Sequence, residues 1–252
     1  MIIAIDGISG SGKSTLAKKL SATLDYGFFS AGSFYRAITL EAQRENIGEN
    51  QDEKLLCMMQ NIDIKIIYGT NGENRIFVYG EDVTNLLHTE EISENVSKYS
   101  QKPFIREKVR DFQRDVKKTN KNIIMEGRDI GSEIFPDADL KIYVTCDVET
   151  RAKRRCLEYL KKGEDVNLDQ IRSELVERDY RDINRKISPL KKCDGALVVD
   201  TTNLSIDECV NTVMQKVYEI QKNARQKVES VVESSIPPQE EKKNVPDERN
   251  LQ

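Results

Sequence analysis

The chain contains no tryptophan, one histidine (His88) and no C-x-x-C pair. Zinc sites are built from Cys and His clustered at short spacings, so a zinc centre is not expected. The five cysteines, Cys57, Cys146, Cys156, Cys193 and Cys209, are scattered singly. Without a disulfide framework they fit a reducing compartment. No apolar run approaches the roughly 20 residues that a membrane helix needs, and the opening run Met1–Ile5 is far too short for a signal peptide. A soluble, cytoplasmic protein with no membrane partner is therefore expected. A large charge imbalance is missing too: the net charge is −4 over 252 residues. That gives no general attraction to nucleic acid, and none is expected as a partner. Phosphate must be met by a local cluster of Lys and Arg. Apolar residues run out toward the end, where Ser234–Gln252 carries Pro237, Pro238, Pro246 and many charges. Such a segment cannot bury enough apolar surface to offset its ordering cost. The expected organisation is one domain over residues 1–221 and a disordered tail over 222–252. The last helix is expected to reach a few turns past Lys222, on the spacing of Val228, Val231 and Val232.

What is present alternates between two periods. Met1–Asp6 is a short β-branched run that reads as a buried strand, followed by a glycine-rich turn. Lys13–Asp25 then carries Leu16, Ala17, Leu20 and Leu24 at helical spacing, and a second helix is expected over Ser33–Arg44. Between Asp63 and Val78 the apolar period shifts to two, in Ile64, Ile66 and Tyr68 and again in Ile76 and Val78, around Asn71-Gly72. This predicts a hairpin and a small antiparallel insert, within about residues 62–97. A polar helix is expected over Thr89–Lys117. Strands follow at Asn122–Met125, Leu140–Thr145 and Ala196–Asp200, with helices at Asp147–Lys161 and Asn167–Arg185 between them. Ser205 and Glu208 form a capping box for a last helix striped by Ile206, Val210, Val213, Val217 and Ile220. Strands alternating with helices predict an α/β fold with a mostly parallel central sheet, covered on both faces.

The strongest chemical signal is Gly7-Ile8-Ser9-Gly10-Ser11-Gly12-Lys13-Ser14, which fits G-x-x-x-x-G-K-[ST] and is followed by Thr15. The glycines let the backbone wrap a phosphate, and successive N–H groups at a helix N-terminus point at the anion. Lys13 can reach the β- and γ-phosphates and the Ser14 hydroxyl can ligate Mg²⁺. The motif follows a strand and opens a helix, as that mechanism requires, so the fold expected is that of a P-loop NTPase. Residues 7–15 are the candidate ATP site. The guanine-reading N-K-x-D of a GTPase is absent, since Asn120-Lys121 continues as Asn122-Ile123. A kinase must also neutralise an acceptor phosphate. Arg178, Arg181, Asp182 and Arg185 recur at steps of three and four on one helix face, and Arg151, Arg154 and Arg155 cluster on the helix before. Glu126-Gly127-Arg128-Asp129 leaves the end of an apolar strand, where open α/β sheets bind ligands. Glu126 is a candidate to hold Mg²⁺ through water, beside Ser14.

Several segments together resemble the bacterial cytidylate kinase family. They are Ile3–Gly7 with the phosphate loop, Phe34-Tyr35-Arg36-Ala37, Glu126–Gly131 with Phe135–Ala138, and Glu177–Asp182. Asp82-Val83-Thr84, Ser93–Ser97, Ser188-Pro189-Leu190 and Asp200–Ser205 add to the likeness, which spans about residues 1–220 in order. The resemblance implies that ATP phosphorylates CMP or dCMP. It implies that Arg36, Arg128 and Arg185 hold the acceptor phosphate. Ser97, Arg106 and Asp129 would read cytosine, and Arg178 and Asp182 would face the ribose. Arg151, Arg154 and Arg155 would lie near a mobile lid. Lys13, Arg128, Arg154 and Arg185 are the expected catalytic set. Two departures stand out. The family's Asp-Thr-Gly or Asp-Ser-Gly before the Tyr-Arg pair is Ser30-Ala31-Gly32 here, and an arginine after Asp-Val-Thr is His88. A kinase of the same fold acting on UMP, and a non-catalytic nucleotide-binding regulator, remain the alternatives. A monomer is expected.

Overall fold

The computed structural model describes residues 1–68, 73–119, 121–161, 163 and 165–235. Strand β1 (Ile2–Gly7) enters directly from the N-terminus, and Ile3, Ala4 and Ile5 are fully buried in it. Helix α1 (Lys13–Leu24) turns Leu16, Ala17 and Leu20 inward and ends where Asp25 takes a left-handed φ of 54°. The four-residue β2 (Gly27–Ser30) and α2 (Ala31–Arg44) follow, then α3 (Asp52–Asn61).

Next comes the antiparallel insert of β3 (Ile64–Tyr68), β4 (Asn74–Val78) and the short β5 (Glu81–Asp82). Ile64 pairs with Val78 and Ile66 with Ile76, so the residues whose alternation predicts the hairpin face one another across it. The Asn71-Gly72 turn lies outside the described residues. A 3₁₀ turn (Thr84–His88) leads to α4 (Glu90–Tyr99), whose N-cap is Thr89, and to α5 (Pro103–Thr119). The single helix expected over Thr89–Lys117 is thus two. Ser100–Lys102 breaks it and Pro103 restarts it, at the first helical position where a missing N–H costs nothing.

Strand β6 (Ile123–Gly127) runs into a π-helical turn (Ile130–Ile134), and β7 (Leu140–Thr145) follows. Helices α6 (Val148–Lys161) and α7 (Leu168–Asn184) come next, α7 capped by Asn167 on the N–H groups of Asp169 and Gln170. Strand β8 (Leu197–Asp200) leads to α8 (Ile206–Ser235), whose capping box is made: Ser205 N–H donates to Glu208 Oε2 at 2.8 Å.

The main sheet has the order β2-β6-β1-β7-β8, with every pairing parallel. Strands β1 and β6 are buried on both faces because helices cover both faces, whereas β7 alternates between buried Leu140, Ile142 and Val144 and half-buried Lys141, Tyr143 and Thr145. Strand β1 lies between β6 and β7, with β2 and β6 to one side of it and β7 and β8 to the other, so the strand order reverses at β1. The crevice beyond its C-terminal end is the switch point at which such sheets bind ligands. Gly7 sits at that end with φ +153°, and a Cβ there would lie 2.0 Å from the Val144 carbonyl oxygen of β7. Gly7→Ala must push β1 and β7 apart. We expect it to cost about 3 kcal/mol or more, or to prevent folding, as measured by urea denaturation.

By contacts the chain falls into two compact units, Met1–Met214 and Gln215–Gln252. The first holds both sheets and, at the start of α8, the buried Cys209, Val210, Val213 and Met214. The second is described through Ser235 as helix. The boundary expected at residue 222 therefore falls inside a helix. Residues 236–252, where disorder is expected, lie outside the described residues. None of the described helices is long and apolar enough to cross a membrane.

Candidate active site

A cavity of about 420 Å³ opens at the switch point. One wall is the phosphate loop. Gly12 takes φ 84° as the N-cap of α1, a left-handed conformation that a side chain would strain. The loop is braced from within, where Ser11 Oγ and Lys13 Nζ donate to the Ile8 carbonyl at 2.9 and 2.6 Å. Of the motif, Ser9, Gly10, Lys13 and Ser14 line the cavity. Thr15 is exposed on α1, outside that wall.

The floor comes from the end of β6. Ser14 Oγ donates to Glu126 Oε1 at 3.0 Å, and Ser30 Oγ, from the end of β2, donates to the same oxygen at 2.5 Å. Beyond β6 the backbone is held by Asp6, whose two carboxylate oxygens accept the N–H groups of Ile130 (2.8 Å) and Gly131 (2.7 Å). Burial lifts the Asp6 carboxyl to about 6, against the pull of those N–H groups. This bracing aims Arg128 and Asp129 into the cavity.

The far wall is α7, α4 and α5. Arg128 Nε donates to Asp182 Oδ2 at 2.8 Å, and Arg106 Nη2 to Asp129 Oδ2 at 2.5 Å. Arg185 lies 3.6 Å from Asp129 and 3.8 Å from Asp182. Ser93 joins α4 to this group: its Oγ accepts from Arg36 Nη1 at 2.8 Å and its carbonyl from Arg178 Nη1 at 3.4 Å. Every substrate residue expected from the sequence, Arg36, Ser97, Arg106, Arg128, Asp129, Arg178, Asp182 and Arg185, lines this one cavity.

The α6 arginines separate into three situations. Arg151 is buried under the loop on Asp179 and Ser9. Arg154 lines the cavity but is held by Thr201, through its carbonyl at 2.7 Å and its hydroxyl at 3.1 Å, and that hydroxyl donates to Ser11 O. Arg155 bonds the Tyr159 hydroxyl at 3.1 and 3.2 Å and stacks over its ring at 5.6 Å. Its charge presses on Arg36 and Arg178 across the cavity. Sequence spacing grouped these three and had no means to divide them. It also passed over Asp6, Ser30, Ser93, Tyr159 and Thr201 as parts of the site, although Asp6, Ser30 and Thr201 stand inside segments that carried other signals.

The electrostatics are lopsided. Nine Lys and Arg but four Asp and Glu line the cavity. Lys13 is brought down to about 7 by burial and by repulsion from Arg128 and Arg178, against the pull of Glu126. Arg178 falls to about 9 through burial, Arg128, Arg36 and Arg155, and Arg36 to about 10 through burial, Arg155 and Arg128. Asp182 is the counterweight: burial raises its carboxyl, but Arg128 and Arg178 hold it below its ordinary value. Four buried polar atoms in this wall have no hydrogen-bond partner: Ser97 Oγ, Arg106 Nε, Arg178 Nε and Arg185 Nη2. Buried polar groups are normally paired. A wall with surplus cations and orphaned donors is shaped for a polyanion carrying hydrogen-bonding groups. Among the described residues no three His, Cys, Asp or Glu side chains converge as a metal cluster.

Comparison with known proteins agrees with this geometry. The cytidylate kinase family model matches residues 3–219. A cytidylate kinase of Ligilactobacillus salivarius is 41% identical over 217 residues, covering 86% of this chain and 96% of that protein. One from Bacillus cereus is 40% identical over 84% of this chain and 93% of its own length. One from Caldicellulosiruptor saccharolyticus is 41% identical over 86% and 96%. A likeness of this extent, through the phosphate loop, the insert and the arginine-rich helix alike, places the chain in the cytidylate kinase family.

Proposed function

We infer that this protein transfers the γ-phosphoryl group of ATP to CMP or dCMP, giving ADP and CDP or dCDP. The observation that carries the reading is a single cavity that joins the phosphate loop to the Ser97, Arg106, Asp129 group. In the transfer an oxygen of the CMP phosphate attacks the γ-phosphorus, the new P–O bond forms in line, and the bond to the β-phosphate oxygen breaks. The attacking oxygen is already ionised near neutral pH, so positioning and charge neutralisation carry the catalysis rather than a strong base.

The residues divide by where they stand. Residues 7–14 form the donor cradle, with Thr15 behind it on the first turn of α1, and Lys13 turns from the Ile8 carbonyl to the phosphates of ATP. Arg36, Arg128 and Arg185 hold the acceptor phosphate, and Arg178 and Asp182 face the sugar. Cytosine offers an amino donor, a ring-nitrogen acceptor and a carbonyl acceptor. The Asp129 carboxylate, the Ser97 hydroxyl and the Arg106 guanidinium complement those three. Arg154 acts through Thr201 on the loop, whereas Arg155 is the one whose charge is felt by Arg36 and Arg178. Ser14 and Glu126 suit Mg²⁺, which keeps waters and takes one or two carboxylates besides phosphate oxygens. When bound, that ion would neutralise charge on the transferred phosphates. On this reading the protein acts as a monomer on free nucleotides in the cytoplasm. Phosphorus NMR of an ATP, Mg²⁺ and CMP mixture should show CDP and ADP appearing together in equal amounts. ADP formed with inorganic phosphate, and no CDP, would sink the reading.

A further inference from the structure

Ser9, at the crest of the phosphate loop, is gripped from outside by both of its peptide groups. Its N–H donates to Asp179 Oδ1 at 3.0 Å, and its carbonyl accepts from Arg151 Nη1 at 2.9 Å. The two gripping side chains meet each other, with Arg151 Nη1 on Asp179 Oδ2 at 2.5 Å. Arg151 Nε is anchored on the Cys146 carbonyl, just past β7, at 3.1 Å. Both side chains are buried, 6% and 12% exposed. The next loop residue packs on the same two helices. A Cβ at Gly10 would lie 3.6 Å from Arg151 Cβ and 3.7 Å from Leu175 Cδ2. Helix α6 supplies the arginine, and helix α7 supplies the aspartate one residue after Arg178.

A phosphate loop has few bonds of its own, and ordering it on binding would weaken affinity. Here the ordering is done before ATP arrives. We propose that Arg151 and Asp179 are positioning residues of the donor site: they clamp Ser9 by both peptide groups, preset the phosphate loop for ATP, and keep it in register with Arg178 and Asp182 on α7. Neither charge is spent on substrate, since each neutralises the other. The proposal rests on the kinase reading given above.

Removing one partner strands a buried charge and endangers the fold. The test therefore includes a double variant, Arg151→Met with Asp179→Leu, that leaves no charge behind, beside Asp179→Asn, which keeps the size but loses one acceptor oxygen. Three quantities are read: the dissociation constant of ATP by calorimetry without CMP, the KM for CMP, and Tm. ATP binding should weaken on the order of tenfold or more in both variants, as expected when a binding loop is misplaced. The KM for CMP should stay within about twofold, and the double variant should weaken ATP no further than a single variant, because the two residues act as one unit. Unchanged ATP affinity in the folded double variant would overturn the proposal. So would equal losses for ATP and CMP, which would make the pair general scaffolding. The kinase reading fails separately, if the wild-type protein makes no CDP while the variants still lose ATP affinity.

Discussion

Lys13→Met should lower kcat on the order of 10³-fold or more while raising the Tm of the nucleotide-free protein. The first effect follows from the role proposed for Lys13 at the head of α1, where its ammonium would meet the charge developing on the transferred phosphoryl. The second follows from the burial of Lys13 beside Arg128 and Arg178. Burial and the charges of Arg128 and Arg178 bring the Lys13 ammonium down to about 7, from 10.5. A lowered lysine pKa means that the folded state resists the proton. Its destabilising effect is therefore fully present below about pH 7 and is relieved as pH rises from about 7 to 10.5. The wild-type protein should gain more stability between pH 7 and pH 9 than Lys13→Met does, as read by thermal denaturation at the two pH values. A variant that keeps turnover, or that melts lower with an unchanged pH response, contradicts this account of Lys13.

Asp129 should control the choice of base. In Asp129→Asn the carboxylate proposed to receive the cytosine amino group becomes an amide. Arg106, bonded to Asp129 at 2.5 Å, loses its charged partner. A site built to hydrogen-bond one base leaves buried groups unpaired when that match is broken. We expect kcat/KM for CMP to fall about 10²-fold or more while the KM for ATP changes by less than about twofold. Equal losses for both nucleotides would make Asp129 a structural residue or one that serves the metal side.

The parts of this protein that were legible in the sequence are those governed by local rules. The phosphate loop is contiguous, and its glycines answer to backbone geometry within a few residues. Strand β7 reads directly because Leu140, Ile142 and Val144 are inward and fully apolar. The insert reads because Ile64 and Ile66 in β3, and Ile76 and Val78 in β4, recur at period two on either side of Asn71-Gly72. Strand β2 was missed because four residues, with only Phe28 and Phe29 buried, are too few to show a period. Helix α3 was missed because its buried residues, Leu55, Met58 and Met59, belong to one unbroken apolar run, Leu55–Met59, in a ten-residue segment, which shows no helical period. In the site, Arg106 and Asp129 came from family likeness, since no spacing rule joins residues from α5 and the β6 exit. The roles of Arg151, Arg154 and Arg155 depend on which partner each meets, Asp179, Thr201 or Tyr159, and those partners lie on other turns or other elements. Asp6 shows the same limit, because its two acceptor bonds to the π-helical turn cross from β1 to the end of β6.

The central claim is that one cavity pairs an ATP-binding loop with a cytosine-reading group. The most direct measurement is the rate of ADP release from ATP and Mg²⁺ with CMP, dCMP, UMP, AMP and GMP offered one at a time. Release should be fast with CMP and dCMP, slower with UMP, and at background rates with AMP and GMP. Release that is fastest with AMP, GMP or UMP, or equal with and without any acceptor, would contradict that claim.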